Sequence, residues 1–353
     1  MVQILATSLH EIIKGRSLTM SGAETMMDEI LQGQYQPEQI GALLTAFHFR
    51  APKVSEIAGF AKALRRHTIP LVVPPSIHPS LIDVCGTGGD SQGTFNISTT
   101  VTFVVAASGL PIAKHGNRAV SSRSGSFDVL EALQVSLSQS PGEALESLAK
   151  FNLAFLFAPS FQPAFRDLAP IRKALGFRTI FNLLGPLLNP ALVQRQLIGV
   201  YSKELVVPVA EALGELGCVE AMVVHGDDGC DELSLCAPSS IAHLRNGRVT
   251  VLRVTPEEFG FQSVHPSWII GGSPVENGQI LLEVLSKLNN EEVQADRTVG
   301  FSLEAARNIT AFNAGAAIFV GGRSESLKEG ITQAQHIIQS GQGRELLERM
   351  RAR

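Results

Sequence analysis

Through residues 1–72, apolar positions recur at the three-to-four-residue spacing that lines one face of a helix. Helices are predicted over "TMMDEILQG", "PEQIGALLTAFHFR" and "VSEIAGFAKALRRH". Ser21 with Glu24 reads as a capping box for the first, a proline opens the second, and basic residues close the third. The aperiodic, proline-rich stretch "IPLVVPPSIHPS" then marks a boundary.

From Leu81 onward, short apolar runs alternate with helical patterns. "LIDVCG", "PIAKHG" and "LAFLFAP" read as strands, with helices predicted at "TTVTFVVAASG", at "SFDVLEALQ" and after a cap of Ser140 with Glu143. Residues 166–190 interrupt this rhythm with helical content and read as a return to the helical part. "RQLIGVYS", "ELVVPVAEALGELG" and "VEAMVVHG" resume it, "SSIAHLRNGRVTVLRVTPEEFG" reads as strands joined by a turn, and "NITAFNAGAAIFVGG" as a small-residue helix suited to close packing. The expected fold class is α/β. A small all-helical domain (residues 1–72 with 166–190) accompanies a larger α/β domain (73–165 and 191–353), whose mostly parallel sheet is flanked by helices.

Composition narrows the function classes. A chain of 353 residues with 44 % hydrophobic and 18 % charged content can bury a sizeable core. Its formal net charge of -4 argues against a nucleic-acid or membrane-surface binder, so an anionic ligand must be held by local groups. Cys85, Cys218, Cys230 and Cys236 lack the C-x-x-C spacing of zinc or redox sites and read as reduced thiols, Cys85 as a small buried residue. No leader pattern opens the chain and no apolar run approaches the ~20 residues of a membrane span, so a cytoplasmic protein is expected.

Three polar motifs follow strand patterns. In "DVCGTGGDSQGTFNIST", Gly86, Gly88 and Gly89 let backbone N–H groups approach a ligand, while Asn96, Ser98 and Thr99 stand at the next helix start: an anion nest feeding a helix N-terminus. Neither the dinucleotide nor the ATP-binding glycine pattern is present. "KHGNRAVSSRSGS" adds Lys114, Arg118 and Arg123 among Asn117, serines and glycines, a donor set for a ligand with more than one phosphate. In "HGDDGCDELSL", two acidic pairs, Asp227 with Asp228 and Asp231 with Glu232, are each able to ligate Mg²⁺, and the residues alone leave that choice open. His225, His243 and Trp268 read as packing or surface residues.

These motifs, with "FLFAP…R…P-x-R…LG-x-RT-x-FN-x-LGPL-x-NP", "ENGQIL" and "NAGAA" in order over nearly the whole chain, closely resemble the anthranilate phosphoribosyltransferase family. The resemblance implies a homodimer that joins anthranilate to 5-phosphoribosyl 1-diphosphate (PRPP), releasing diphosphate, with about two Mg²⁺ ions per subunit. By position it assigns PRPP binding to Gly86, Gly89, Asp90, Thr94, Asn96, Ile97, Ser98, Thr99, Lys114, His115, Gly116, Asn117, Arg118, Ala119, Val120, Ser121, Ser122 and Ser126. It assigns metal binding to Ser98, Asp231 and Glu232, and anthranilate binding to Gly86, Asn117 and Arg172. Lys114 is the expected electrostatic catalyst, and His115 the candidate proton acceptor. One departure is Gln162, where the family usually has histidine, which puts the choice of aromatic acceptor in question. Alternatives are a paralogue acting on another aromatic acceptor, a pyrimidine nucleoside phosphorylase, disfavoured by "KHGNRAVSS", a nucleic-acid-binding paralogue, disfavoured by net charge, and a scaffolding protein, which leaves three polar loops without a role.

Overall fold

The computed structural model describes residues 2–89, 92–119, 123–287 and 300–352, with side chains from residue 8 onward. Four helices open the chain: α1 (Val2–Ile13), α2 (Met20–Leu31), α3 (Pro37–Phe49) and α4 (Val54–Arg66). Met26 and Met27 of α2, Leu43 and Phe47 of α3, and Ile57, Phe60 and Leu64 of α4 fill their shared core. The expected Ser21–Glu24 capping box does not form. Thr19 is the N-cap and accepts from Gly22 N at 3.0 Å, which places Ser21 inside the first turn. Glu24 instead pairs with Lys62 and Arg66 of α4, because two cations across the helix interface outcompete a neutral backbone donor.

The chain then runs through β1 (Ile82–Gly86), α5 (Ile97–Ala107), β2 (Ile112–Gly116), α6 (Ser126–Ala132), α7 (Pro141–Phe151) and β3 (Leu153–Phe157). Short helices α8 (Ala158–Phe161), α9 (Ala169–Leu175) and α10 (Ile180–Leu184) follow, then β4 (Arg195–Gly199), α11 (Val206–Glu215), β5 (Glu220–Gly226), β6 (Ser239–Arg245) and β7 (Arg248–Val254). Helices α12 (Pro274–Leu285), α13 (Leu303–Val320), α14 (Leu327–Ser340) and α15 (Gln342–Arg351) complete it. Ser140 caps α7 through Glu143 N, as its sequence predicts.

All seven strands form one sheet in the order β3-β2-β1-β4-β5-β6-β7, parallel from β3 to β5 and antiparallel thereafter. Strands β1 to β3 step outward in one direction, and β4 then returns to the other side of β1, so the winding reverses there with Gly86 registered opposite Gly199. Ligands of such sheets bind beyond the carboxyl ends of the strands at that reversal.

Strand alternation divides the core. Ile82, Val84, Leu197 and Met222 pack toward α5 and α13, whereas Cys85, Ile198 and Val223 face α11 and the N-terminal helices. Leu168, Ile180, Phe181 and Leu183 join that second core, with α9 against α3 and α10 against α3 and α4. The Arg65 guanidinium of α4 is withdrawn from solvent, which lowers its pKa to about 10, and it donates to Leu187 O and Leu216 O, tying α4 to the turn after α10 and to the end of α11. Among the described residues, no helix is long and apolar enough to cross a membrane.

Candidate active site

The glycine loop leaves β1 at the reversal. Thr87 N donates to Gly199 O at 2.9 Å, and Thr87 Oγ1 accepts from Tyr201 N at 3.0 Å. Thr94 bridges to Ile270, and Phe95 N donates to Ile269 O at 3.1 Å, so the far limb of the loop is also held. Helix α5 starts at Ile97 without a side-chain cap, since the Asn96 amide is used elsewhere: Nδ2 donates to Ser124 O, and Oδ1 accepts from Asn277 Nδ2 at 2.8 Å. An uncapped N-terminus suits an anion. The side chains of Ile97 and Thr99 are buried in the core, leaving their backbone for a ligand.

The two acidic pairs differ in their surroundings. Asp227 is held by Lys203 at 3.1 Å and Arg253 at 2.6 Å, and Asp228 Oδ2 accepts from Ser234 Oγ at 2.6 Å, so both are engaged in salt bridges or turn geometry. Asp231 turns into the reversal and accepts from Gly88 N at 2.9 Å. A side chain at Gly86 would meet its carboxylate, and one at Gly199 would collide with its backbone, so both strand ends must be bare for the loop to enter. Glu232 follows, 8 % exposed and electrostatically close to Cys85. The loop is held from behind by Asn313 of α13, whose Oδ1 accepts from Leu233 N and whose Nδ2 donates to Leu233 O, both at 2.9 Å.

Strand β2 carries Lys114 and His115 to the neighbouring strand end. Lys114 is 1 % exposed, and its Nζ donates to Val84 O and, at 3.2 Å, to Ser98 Oγ. Among the described residues no carboxylate lies within ion-pair distance of it. Its hydrogen-bond partners are neutral oxygens, and the buried Asp83 acts on it through space, so the ammonium keeps positive charge to offer an anion. Asp83 on β1, fully buried, accepts from Asn189 Nδ2 at 2.8 Å and His115 N at 3.3 Å; burial raises its pKa to about 6, against the pull of Lys114. Burial, and secondarily Lys114, lowers the His115 pKa to about 4, and its Nε2 has no hydrogen-bond partner among the described residues. His115 is therefore a neutral imidazole near pH 7. Cys85 is a protonated thiol, its pKa raised first by burial and then by Asp83.

After Gly116, the described residues on both limbs of the second loop meet α6. Ala119 N and Gly125 N both donate to Asp128 Oδ2, at 2.8 and 2.9 Å, and Asn117 Oδ1 accepts from Arg118 N at 2.8 Å. Ser126 is the first residue of α6. The Arg118 guanidinium pairs with Glu131 and lies 4.7 Å from the Phe157 ring, so the fold directs it to α6 and β3. Asp90, Val120, Ser121 and Ser122 lie outside the described residues. His225 and His243 are engaged by Val200 O and Glu220.

On the acceptor segment, Arg172 of α9 is half-buried, its pKa lowered by that burial, with the Phe181 ring 5.7 Å away and no carboxylate paired to it among the described residues. Gln162 is 7 % exposed, and its Nε2 donates to Leu188 O at 2.9 Å. The position thus supplies one donor to a carbonyl, which a neutral histidine N–H also provides.

Sequence reasoning missed Asp83, Asn189, Asn277, Asn313 and Arg178, whose carbonyl accepts from His48 on α3 at 3.1 Å and whose guanidinium reaches the glycine loop. All five stood within quoted motifs or strands, but their partners lie far off in the chain.

Two glycosyl transferase family models match the chain, the helical bundle domain over residues 7–68 and the a/b domain over 78–344. Fold and site thus define a two-domain glycosyl transferase. The chain belongs to that family and, within it, to the anthranilate phosphoribosyltransferases. It is 42 % identical to the protein of that name from Rubrobacter xylanophilus, over 98 % of this chain and 96 % of the relative. With that of Brevibacillus brevis it shares 43 % identity, over 99 % and 97 %. The crystal structure of anthranilate phosphoribosyltransferase from Thermus thermophilus superposes with a TM-score of 0.86 at 38 % identity, covering 98 % of both chains. The Saccharomyces cerevisiae enzyme in complex with PRPP and Mg gives 0.83 at 29 % identity, covering 98 % of this chain and 96 % of that one.

Ser98, Asp231 and Glu232 offer the hard oxygen donors that Mg²⁺ takes. Among the described residues no three His, Cys, Asp or Glu gather as a metal cage. The donors present fit an ion that completes its shell with phosphate and water.

Proposed function

We propose that this enzyme transfers the phosphoribosyl group of PRPP to the amine of anthranilate, giving N-(5-phosphoribosyl)anthranilate and diphosphate, the second step from chorismate to tryptophan. The observation that carries the reading is Lys114, buried among neutral oxygens beside Ser98 at the point where the sheet winding reverses. Gly86, Gly89, Thr94, the run Asn96 to Thr99 and the second loop surround PRPP, and Gly86, Asn117 and Arg172 receive anthranilate. Ser98, Asp231 and Glu232 hold magnesium, about two ions per subunit. The residues divide as a small helical domain, 1–72 with 166–190, and the α/β remainder; the enzyme works as a homodimer in the cytoplasm.

Displacement at the anomeric carbon passes through an oxocarbenium-like state in which diphosphate leaves with growing negative charge. Bound Mg²⁺ supplies charge neutralisation on that leaving group. Lys114 and the N–H groups at the start of α5 stabilise the same charge without reorganising, because they are already fixed. Arg172 pairs with the anthranilate carboxylate and orients an amine that is already neutral, so no strong base is needed. The arylammonium formed by attack is acidic enough for the weakly basic His115 to take its proton at Nε2.

The test is loss of anthranilate fluorescence on adding PRPP and Mg²⁺ to the purified protein, with a metal-free control and a panel of substituted benzoates. Magnesium-dependent loss with anthranilate preferred supports the reading. PRPP binding without turnover of anthranilate overturns it in favour of another acceptor.

A further inference from the structure

Arg178 leaves the acceptor segment between α9 and α10 and crosses to the glycine loop. Its Nη1 donates to Gly89 O, and its Cδ stands 3.3 Å from where a side chain at Gly89 would begin. Its guanidinium carbon lies 4.6 Å from the centroid of the Tyr201 ring. That ring belongs to the loop's own anchor, since Tyr201 N donates to Thr87 Oγ1. On its other side, Arg178 O accepts from His48 Nδ1, and the His48 ring sits 4.6 Å from that of Phe177. Among the described residues no carboxylate pairs with Arg178, although it is exposed.

We propose that Arg178 is a positioning residue that couples the two halves of the active site, setting the glycine loop for PRPP and making that setting depend on the acceptor segment. The inference rests on the function proposed above. Gly89 has φ +74°, one of several conformations open to glycine, and a bond to its carbonyl selects that one. A planar guanidinium can stack on Tyr201 and donate in its plane to Gly89 O at once; an ammonium cannot. Arg172, six residues earlier, is separated from Arg178 only by the end of α9 and its Gly176 cap. A carboxylate bound at Arg172 therefore restrains the backbone from which Arg178 reaches. By linkage, acceptor and PRPP then raise each other's affinity by one common factor.

The experiment uses the full-length protein with Mg²⁺ and compares wild type with Arg178→Ala, Arg178→Lys and Tyr201→Leu. Fluorescence kinetics give KM and kcat, and calorimetry gives PRPP affinity with and without benzoate, which has the acceptor carboxylate but no amine. We expect Arg178→Ala to raise the KM for PRPP about tenfold while kcat changes less than about threefold. Benzoate tightens PRPP binding to wild type about fivefold or more and leaves Arg178→Ala unaffected. Arg178→Lys stays close to the alanine variant, and Tyr201→Leu shifts KM in the same direction by less. An unchanged KM in Arg178→Ala, benzoate coupling that survives it, or full rescue by lysine overturns the proposal, the last because a point charge would then suffice. Wild-type turnover of anthranilate in the same assay tests the function separately, and the benzoate measurement reads the coupling even without turnover.

Discussion

The half of the site proposed to bind PRPP and the half proposed to receive anthranilate are built by different means. The PRPP half is a set of close approaches and buried polar bonds: Asp231 fits against Gly86 and Gly199, Asn313 holds Leu233, Asn96 meets Asn277, and Lys114 lies beneath Ser98. The anthranilate half is a segment of short helices with half-buried Arg172 and the buried hydrogen bond from Gln162 to Leu188 O. The groups proposed to meet developing charge are thus held by protein partners, whereas Arg172, proposed to recognise the acceptor, sits on a more exposed element. Damage to the first half should lower turnover, and damage to the second should shift saturation.

Removing Lys114 or a metal carboxylate should break this comparison most sharply. Lys114→Met is expected to lower kcat by ~10²–10³, because it removes the fixed positive charge that meets the departing diphosphate. Asp231→Asn should give a comparable loss that added Mg²⁺ partly reverses, read from rates across a magnesium titration. Equal kcat in either variant would remove the residue from the site.

Arg172→Ala should raise the KM for anthranilate by about 10- to 100-fold with a smaller change in kcat. Unchanged anthranilate saturation would move acceptor recognition elsewhere.

The buried pair at the base of the site sharpens the contrast through pH. Asp83, with its pKa raised to about 6, contributes stability at low pH that is lost as pH rises through that value. His115, with its pKa lowered to about 4, contributes stability above its unfolded pKa that is lost as pH falls toward 4. Each contribution is on the order of 3 kcal/mol, with opposite sign across the shared window, so they largely cancel. Asp83→Asn leaves His115 uncompensated, and urea denaturation should find its stability falling more steeply than wild type between pH 6.5 and 4. Parallel pH profiles would refute this pairing.

The smallest effect belongs to Gln162. Gln162→His should keep acceptor preference within about twofold, whereas Gln162→Ala should cost ~1–3 kcal/mol of stability by leaving Leu188 O without its donor. A change of preferred benzoate in the histidine variant would place Gln162 at the acceptor itself.

Much was legible without coordinates, because helical period, strand alternation and proline or glycine breaks are local. The strands from β1 to β5 fall where their apolar runs are written, and the glycine loops stand at the strand ends that carry ligands. The capping box at Ser21 failed because Glu24 had better partners on α4, which no local pattern reveals. Asp227 and Asp231 stand in one acidic stretch with similar neighbours, and the approach of Lys203 and Arg253 to one and of Gly88 to the other separates them. Asn189 reaches Asp83 across 106 residues of chain, and Asn313 reaches Leu233 across 80. The sequence by itself therefore determined the elements, the glycine-bearing loops and the family. The tertiary structure decided which acid meets Gly88 and which is held by Arg253, that Arg118 pairs with Glu131, and what Gln162 holds, since each depends on a partner brought close only when the chain folds.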